Sequence, residues 1–105
     1  MTRKELVGRL KKGDLVVLDV RPREEFEAGH LPEAISAPLD ELAGQLKRLS
    51  KDREVVVYCR GPFCAYSHVA VELLRKRGFA ARRLEDGLPE WEAADLPVVR
   101  ATVEG

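Results

Sequence analysis

The stretch Val55-Val56-Val57-Tyr58-Cys59-Arg60-Gly61-Pro62-Phe63-Cys64-Ala65-Tyr66-Ser67-His68-Val69-Ala70-Val71-Glu72-Leu73-Leu74 decides the fold. Its first four residues form a continuous apolar run, which fits a strand buried on both faces. Val69, Ala70, Leu73 and Leu74 recur at helical spacing and predict a helix over Tyr66 to Arg77, with Gly78 as its C-cap. Between strand and helix lies a tight loop that opens on Cys59. In open α/β sheets, ligands bind beyond the carboxyl ends of strands. A thiol there faces a helix N-terminus, whose free N–H groups and dipole favour negative charge. It ionises more readily, and the thiolate is the nucleophile.

Outward from this unit, strands and helices alternate. Thr2-x-x-Glu5 reads as a capping box, with Leu6, Val7 and Leu10 on one face of the helix behind it and Gly13-Asp14 as its break. Leu15 to Leu18 is a second continuous apolar run. Arg23 to Ala28 predicts a short helix ended by Gly29, and Ile35-Ser36-Ala37 a brief strand. Leu39, Leu42, Ala43, Leu46 and Leu49 repeat at helical spacing. Ala81 to Leu84 is a last strand, and Asp86-Gly87 turns into a short helix around Trp91. Leu96-Pro97-Val98-Val99 forms a tail. This alternation predicts an α/β fold with a parallel sheet covered by helices on both faces.

The 105 residues, 45% of them hydrophobic, suffice for a single domain over residues 1–105 with one real core. Two Cys residues do not make a disulfide framework, and no Cys/His cluster has zinc-finger spacing. The longest apolar runs fall far below the roughly 20 residues that span a bilayer. The N-terminus is charged and lacks the apolar region of a signal peptide. A cytoplasmic protein with no membrane partner is therefore expected. Formal net charge is zero, which gives no reason to expect a nucleic-acid partner. Arg75-Lys76-Arg77 and Arg82-Arg83 read as a solvated helix end and an exposed strand edge.

Several features coincide in order. They are Leu18-Asp19-Val20-Arg21 at a strand end, Glu25-Phe26 with Gly29-His30-Leu31-Pro32-Glu33-Ala34-Ile35, and Val57-Tyr58-Cys59-Arg60-Gly61 before a helix. Gly78-Phe79 and Leu84-Glu85-Asp86-Gly87-Leu88-Pro89-Glu90-Trp91 complete the set. In this order the chain resembles a single rhodanese domain from about Leu6 to Val99. Its loop Cys-Arg-Gly-Pro-Phe-Cys is similar to that of rhodanese domains associated with ArsR-like regulators. The resemblance implies a three-layer sandwich with a five-stranded, mostly parallel sheet.

It also implies sulfurtransferase chemistry. Cys59 takes sulfane sulfur from a small anionic donor such as thiosulfate, becomes a persulfide, and passes the sulfur to a thiol or cyanide. Such covalent catalysis needs an activated thiolate. The anionic donor and the leaving sulfite both benefit from converging backbone N–H groups. No metal or organic cofactor is implied. The substrate-binding loop runs through Arg60, Gly61, Pro62, Phe63, Cys64, Ala65, Tyr66 and Ser67. It departs from the common pattern in two respects. The interval from Cys59 to Gly78 is longer, and Tyr66 stands where a basic residue often closes the loop. Both departures weaken the expectation that thiosulfate is the preferred donor.

Individual residues carry competing readings. Cys64 is a small loop filler or a thiol that resolves an oxidised Cys59. Arg60 binds an anion or faces solvent. Arg21 is expected in a structural salt bridge, and Asp19 is expected to hold loop backbone. His30 is expected to be a packed turn residue, and His68 an exposed one. Phe63, Tyr66 and Trp91 could wall the pocket or fill the core. A phosphatase or arsenate reductase on the same fold would need an Arg closing a Cys-x5-Arg loop. Ala65 occupies that place, which removes this reading. A persulfide carrier or thiol redox module with little turnover stands as the alternative to the enzyme.

Overall fold

The computed structural model describes residues 1–60 and 65–100. Four strands form one sheet: β1 (Leu15–Asp19), β2 (Ala34–Ser36), β3 (Glu54–Tyr58) and β4 (Ala81–Arg83). Their order is β2-β1-β3-β4, and every pair is parallel. The central pair β1–β3 is the longest, with Leu15 opposite Glu54 and Asp19 opposite Tyr58. Among the described residues there are five α-helices: α1 (Arg3–Leu10) precedes the sheet, α2 (Arg23–Ala28), α3 (Leu42–Gln45) and α4 (Ala65–Lys76) connect its strands, and α5 (Leu88–Ala93) follows it. Apart from the Leu39–Leu49 segment, the strands and helices read from the sequence pattern form within a residue or two of their expected bounds.

Alternation along the strands sorts the core into two layers. Leu18, Val55 and Val57 face Leu42, Leu46, Ala70 and Leu74, from α3, the turn after it and α4. Val17, Val56 and Tyr58 face Leu6 of α1 and Trp91 of α5. The apolar runs are continuous because both faces of β1 and β3 are covered. Cys59 lies in the first layer, one residue beyond β3.

Two expectations are corrected. Among the described residues the sheet has four strands rather than five, and it is wholly parallel. Beyond β4 the neighbouring backbone is Met1: its ammonium donates to the Arg83 carbonyl at 2.9 Å, and its carbonyl accepts from the Glu85 N–H at 2.9 Å. Thr2 already caps α1, its hydroxyl accepting from the Glu5 N–H at 3.1 Å. The chain coils away from the edge before a second pair can form. The segment Leu39 to Leu49 is not one continuous helix. It divides into a 3-10 turn at Leu39–Glu41, α3, and a second 3-10 turn at Leu46–Arg48. Gly44, within α3, lowers the helix propensity of the segment.

Candidate active site

All four strands run the same way, so their carboxyl ends gather on one side of the sheet. Asp19, Tyr58 and Cys59 stand together there. The phenol of Tyr58 donates to Asp19 Oδ2 at 2.6 Å and accepts from the Leu31 N–H at 3.1 Å. Arg21 turns back onto the same carboxylate: Nη2 donates to Asp19 Oδ2 at 2.6 Å and Nε to Oδ1 at 3.0 Å. Nη2 also donates to the Gly29 carbonyl at 2.6 Å. The Arg21 backbone N–H donates to Asp19 Oδ1 at 2.9 Å, closing a tight turn after β1.

This network is buried, with Asp19 inaccessible and Arg21 only 5% exposed. Burial opposes the Arg21 charge, but hydrogen bonding to Asp19 and its negative charge outweigh it and raise the guanidinium's pKa. Burial, followed by the Asp19 charge, pushes the Tyr58 phenol far above its ordinary value. It therefore stays a neutral donor. Arg21 is a structural ion pair and Asp19 holds loop backbone, both as expected. What the sequence did not reveal is Tyr58, which joins the end of β3 to β1 and to the Gly29–Leu31 turn. A tyrosine at the end of an apolar strand was the available signal, since a buried phenol needs a partner.

On this braced platform Cys59 is 2% exposed. Gly61, Pro62, Phe63 and Cys64 lie outside the described residues. The described loop residues take distinct places. Ala65 and Tyr66 are exposed in the first turn of α4, and Ser67 is buried beside them. Arg60 is ion-paired: its Nε donates to Glu25 Oε1 at 2.9 Å and to Oε2 at 3.2 Å, and Nη2 also reaches Oε2. Its guanidinium carbon lies 5.8 Å from the Tyr66 ring centroid. The hydrogen bonds from Arg60 hold the Glu25 carboxyl below the usual glutamate range.

A groove of about 580 Å³ adjoins this corner, lined by Val20, Arg23, Glu24, Asp40, Glu41 and Tyr66 among others. Val20 shares the buried layer of Cys59, which puts the groove at the carboxyl end of β1. Trp91 is not part of it; the indole is core on the opposite face, donating to the Pro97 carbonyl at 2.7 Å. His30 is a packed turn residue, stacked on Phe26 with centroids 3.7 Å apart, its Nδ1 2.7 Å from the Phe26 carbonyl. His68 is exposed. No group of three or more metal-ligating side chains occurs among the described residues. No helix among them is long and apolar enough to cross a membrane.

Known proteins share this arrangement. The rhodanese-like domain family matches residues 2–94. The chain is 47% identical over 98 residues to the HTH-type transcriptional regulator Rv0324 of Mycobacterium tuberculosis. That match covers 93% of this chain but only 43% of the regulator, so the chain spans less than half of that relative's length. It is 31% identical over 87 residues to a sulfurtransferase of Allochromatium vinosum, covering 82% of this chain and 79% of that one. The crystal structure of the BH2092 protein from Bacillus halodurans superposes with a TM-score of 0.90 at 31% identity, over 96% of this chain and 76% of that one. The parallel sheet, the cysteine directly after β3 and the matched span lead to one conclusion: the chain belongs to the rhodanese-like family, as a single rhodanese-like domain.

Proposed function

We propose that the chain is a cytoplasmic sulfurtransferase in which Cys59 carries sulfane sulfur as a persulfide. The observation that carries this reading is the position of Cys59, one residue past β3 on a rigid, hydrogen-bonded platform and ahead of α4. Relatives named sulfurtransferases support it. The Cys59 thiolate attacks the outer sulfur of thiosulfate. The sulfur–sulfur bond of the donor breaks, and its electron pair leaves with sulfite. An acceptor thiolate or cyanide then attacks the outer persulfide sulfur, and the Cys59 thiolate leaves. Both displacements conserve charge and need no redox partner once Cys59 is reduced. The loop from Arg60 to Ser67 surrounds the donor in this reading.

A second reading is a persulfide carrier or thiol redox module with little turnover. The regulator of which this chain matches a part favours it. Turnover separates the two. With thiosulfate and cyanide, the enzyme releases thiocyanate at many turnovers per site, whereas the carrier reloads from thiosulfate slowly and, once persulfidated, releases one rapid equivalent followed by a much slower phase. Cys59→Ser removes thiocyanate release in either case; thiocyanate formed by Cys59→Ser would overturn both readings.

A further inference from the structure

Arg60 is the cation next to the nucleophile in sequence, and a free guanidinium there would attract a dianionic donor. The structure does not leave it free. Both oxygens of Glu25 engage it, and the Tyr66 ring lies beside it. Arg21, the other arginine at this corner, is committed to Asp19 and Gly29. The neighbouring groove repeats the pattern. Arg23 Nη2 donates to Glu41 at 2.5 Å, while Glu24 and Asp40 add two further carboxylates to the lining. Among the described residues of this rim, the two cations Arg23 and Arg60 are each paired, and carboxylates outnumber them.

We propose that Glu25 sets the charge selectivity of the Cys59 site. By pairing with Arg60 it cancels the cation beside the nucleophile, and the site gives up the preference for anionic donors that a free guanidinium would provide. The inference rests on Cys59 being the nucleophile and refines the choice of donor. Glu25 is a positioning residue, acting through Arg60. Because its carboxyl is held below the ordinary glutamate range, the cancellation persists through neutral and mildly acidic pH.

The test uses charge-matched alkylating reagents on the reduced protein in a Cys64→Ser background. The rates of Cys59 alkylation by iodoacetate, an anion, and by iodoacetamide, which is neutral, are measured at low salt. Glu25→Gln is expected to raise the iodoacetate/iodoacetamide ratio by about two- to fivefold, the order expected for removing one unit charge at short range in a watery medium. Added salt should shrink the gain. Arg60→Ala should lower the ratio, and the double variant should return it to the parent value. The proposal is overturned if Glu25→Gln leaves the ratio unchanged or lowers it, or if the double variant keeps the full gain. A purely structural role would slow both reagents alike without moving the ratio, which also overturns it. Alkylation needs only a thiolate, so a failure of sulfur transfer would sink the sulfurtransferase reading and leave this outcome readable.

Discussion

Tyr58 shows how one side chain can brace the strand end that carries Cys59. Its hydroxyl satisfies Asp19 and the Leu31 N–H together, inside a core that water does not reach. Tyr58→Phe keeps the ring and removes both bonds, leaving a buried N–H without this acceptor and a buried carboxylate one donor short. The expected loss is about 1–3 kcal/mol of stability, the usual cost of unsatisfied buried polar groups. Urea denaturation of the reduced protein would measure it; an unchanged midpoint would show that the network is not holding the strand ends. The roles of Asp19 and Arg21 were legible at this scale, because Asp-x-Arg after a strand presents two opposite charges to one turn. The third partner was not, because Tyr58 is 39 residues from Asp19 in sequence and only the β1–β3 register brings them together. Arg60 was legible as a cation next to Cys59 but not as a neutralised one, since Glu25 reaches it from α2.

Among the elements, continuous apolar runs identified β1 and β3, which are covered on both faces, and amphipathic spacing identified α4. The end of α4 was equally readable, because Gly78 adopts a φ of +90°, which favours glycine. A Cβ at Gly78 would meet mainly the mobile end of Lys51, so the backbone rather than space sets the cost of substitution. Gly78→Ala should therefore destabilise by about 1–2 kcal/mol, the strain of a left-handed L-residue. A thermal melt at neutral pH would check it, and an unshifted melt would contradict that origin. The spacing of leucines from Leu39 to Leu49 misled in one respect. Leu42 and Leu46 do face the core, yet the backbone between Pro38 and Leu49 alternates 3-10 and α turns. Apolar spacing reports which side faces inward and is blind to such changes of pitch. The fifth strand was carried by the resemblance alone; the sequence pattern itself offers four strand candidates, and the sheet has four among the described residues.

Across the whole molecule, ion pairs tie the sheet edge to α1. Glu54 at the start of β3 accepts from Arg82 of β4 at 2.7 Å and from Arg9 of α1 at 2.7 Å. The hydrogen bond from Arg82 and then that from Arg9 lower the Glu54 pKa despite partial burial. A depressed carboxyl contributes stability that is present above its unfolded value, about 4.3, and is lost as pH falls through its lower folded value. Stability should therefore decline on acidification below that range, and Glu54→Gln should flatten this limb while lowering stability at pH 7. Chemical denaturation across the acid range would show it; an unchanged acid limb in Glu54→Gln would contradict it. Basic residues at this edge, which the sequence presents as a solvated strand edge, thus include a paired Arg82. The central claim is that the whole fold presents Cys59 as the sulfur-accepting atom. The most direct measurement is the intact mass of the reduced protein after exposure to thiosulfate, beside Cys59→Ser and Cys64→Ser. The account predicts a gain of one sulfur atom that Cys64→Ser retains and Cys59→Ser loses. Sulfur gained by Cys59→Ser but not by Cys64→Ser would contradict it.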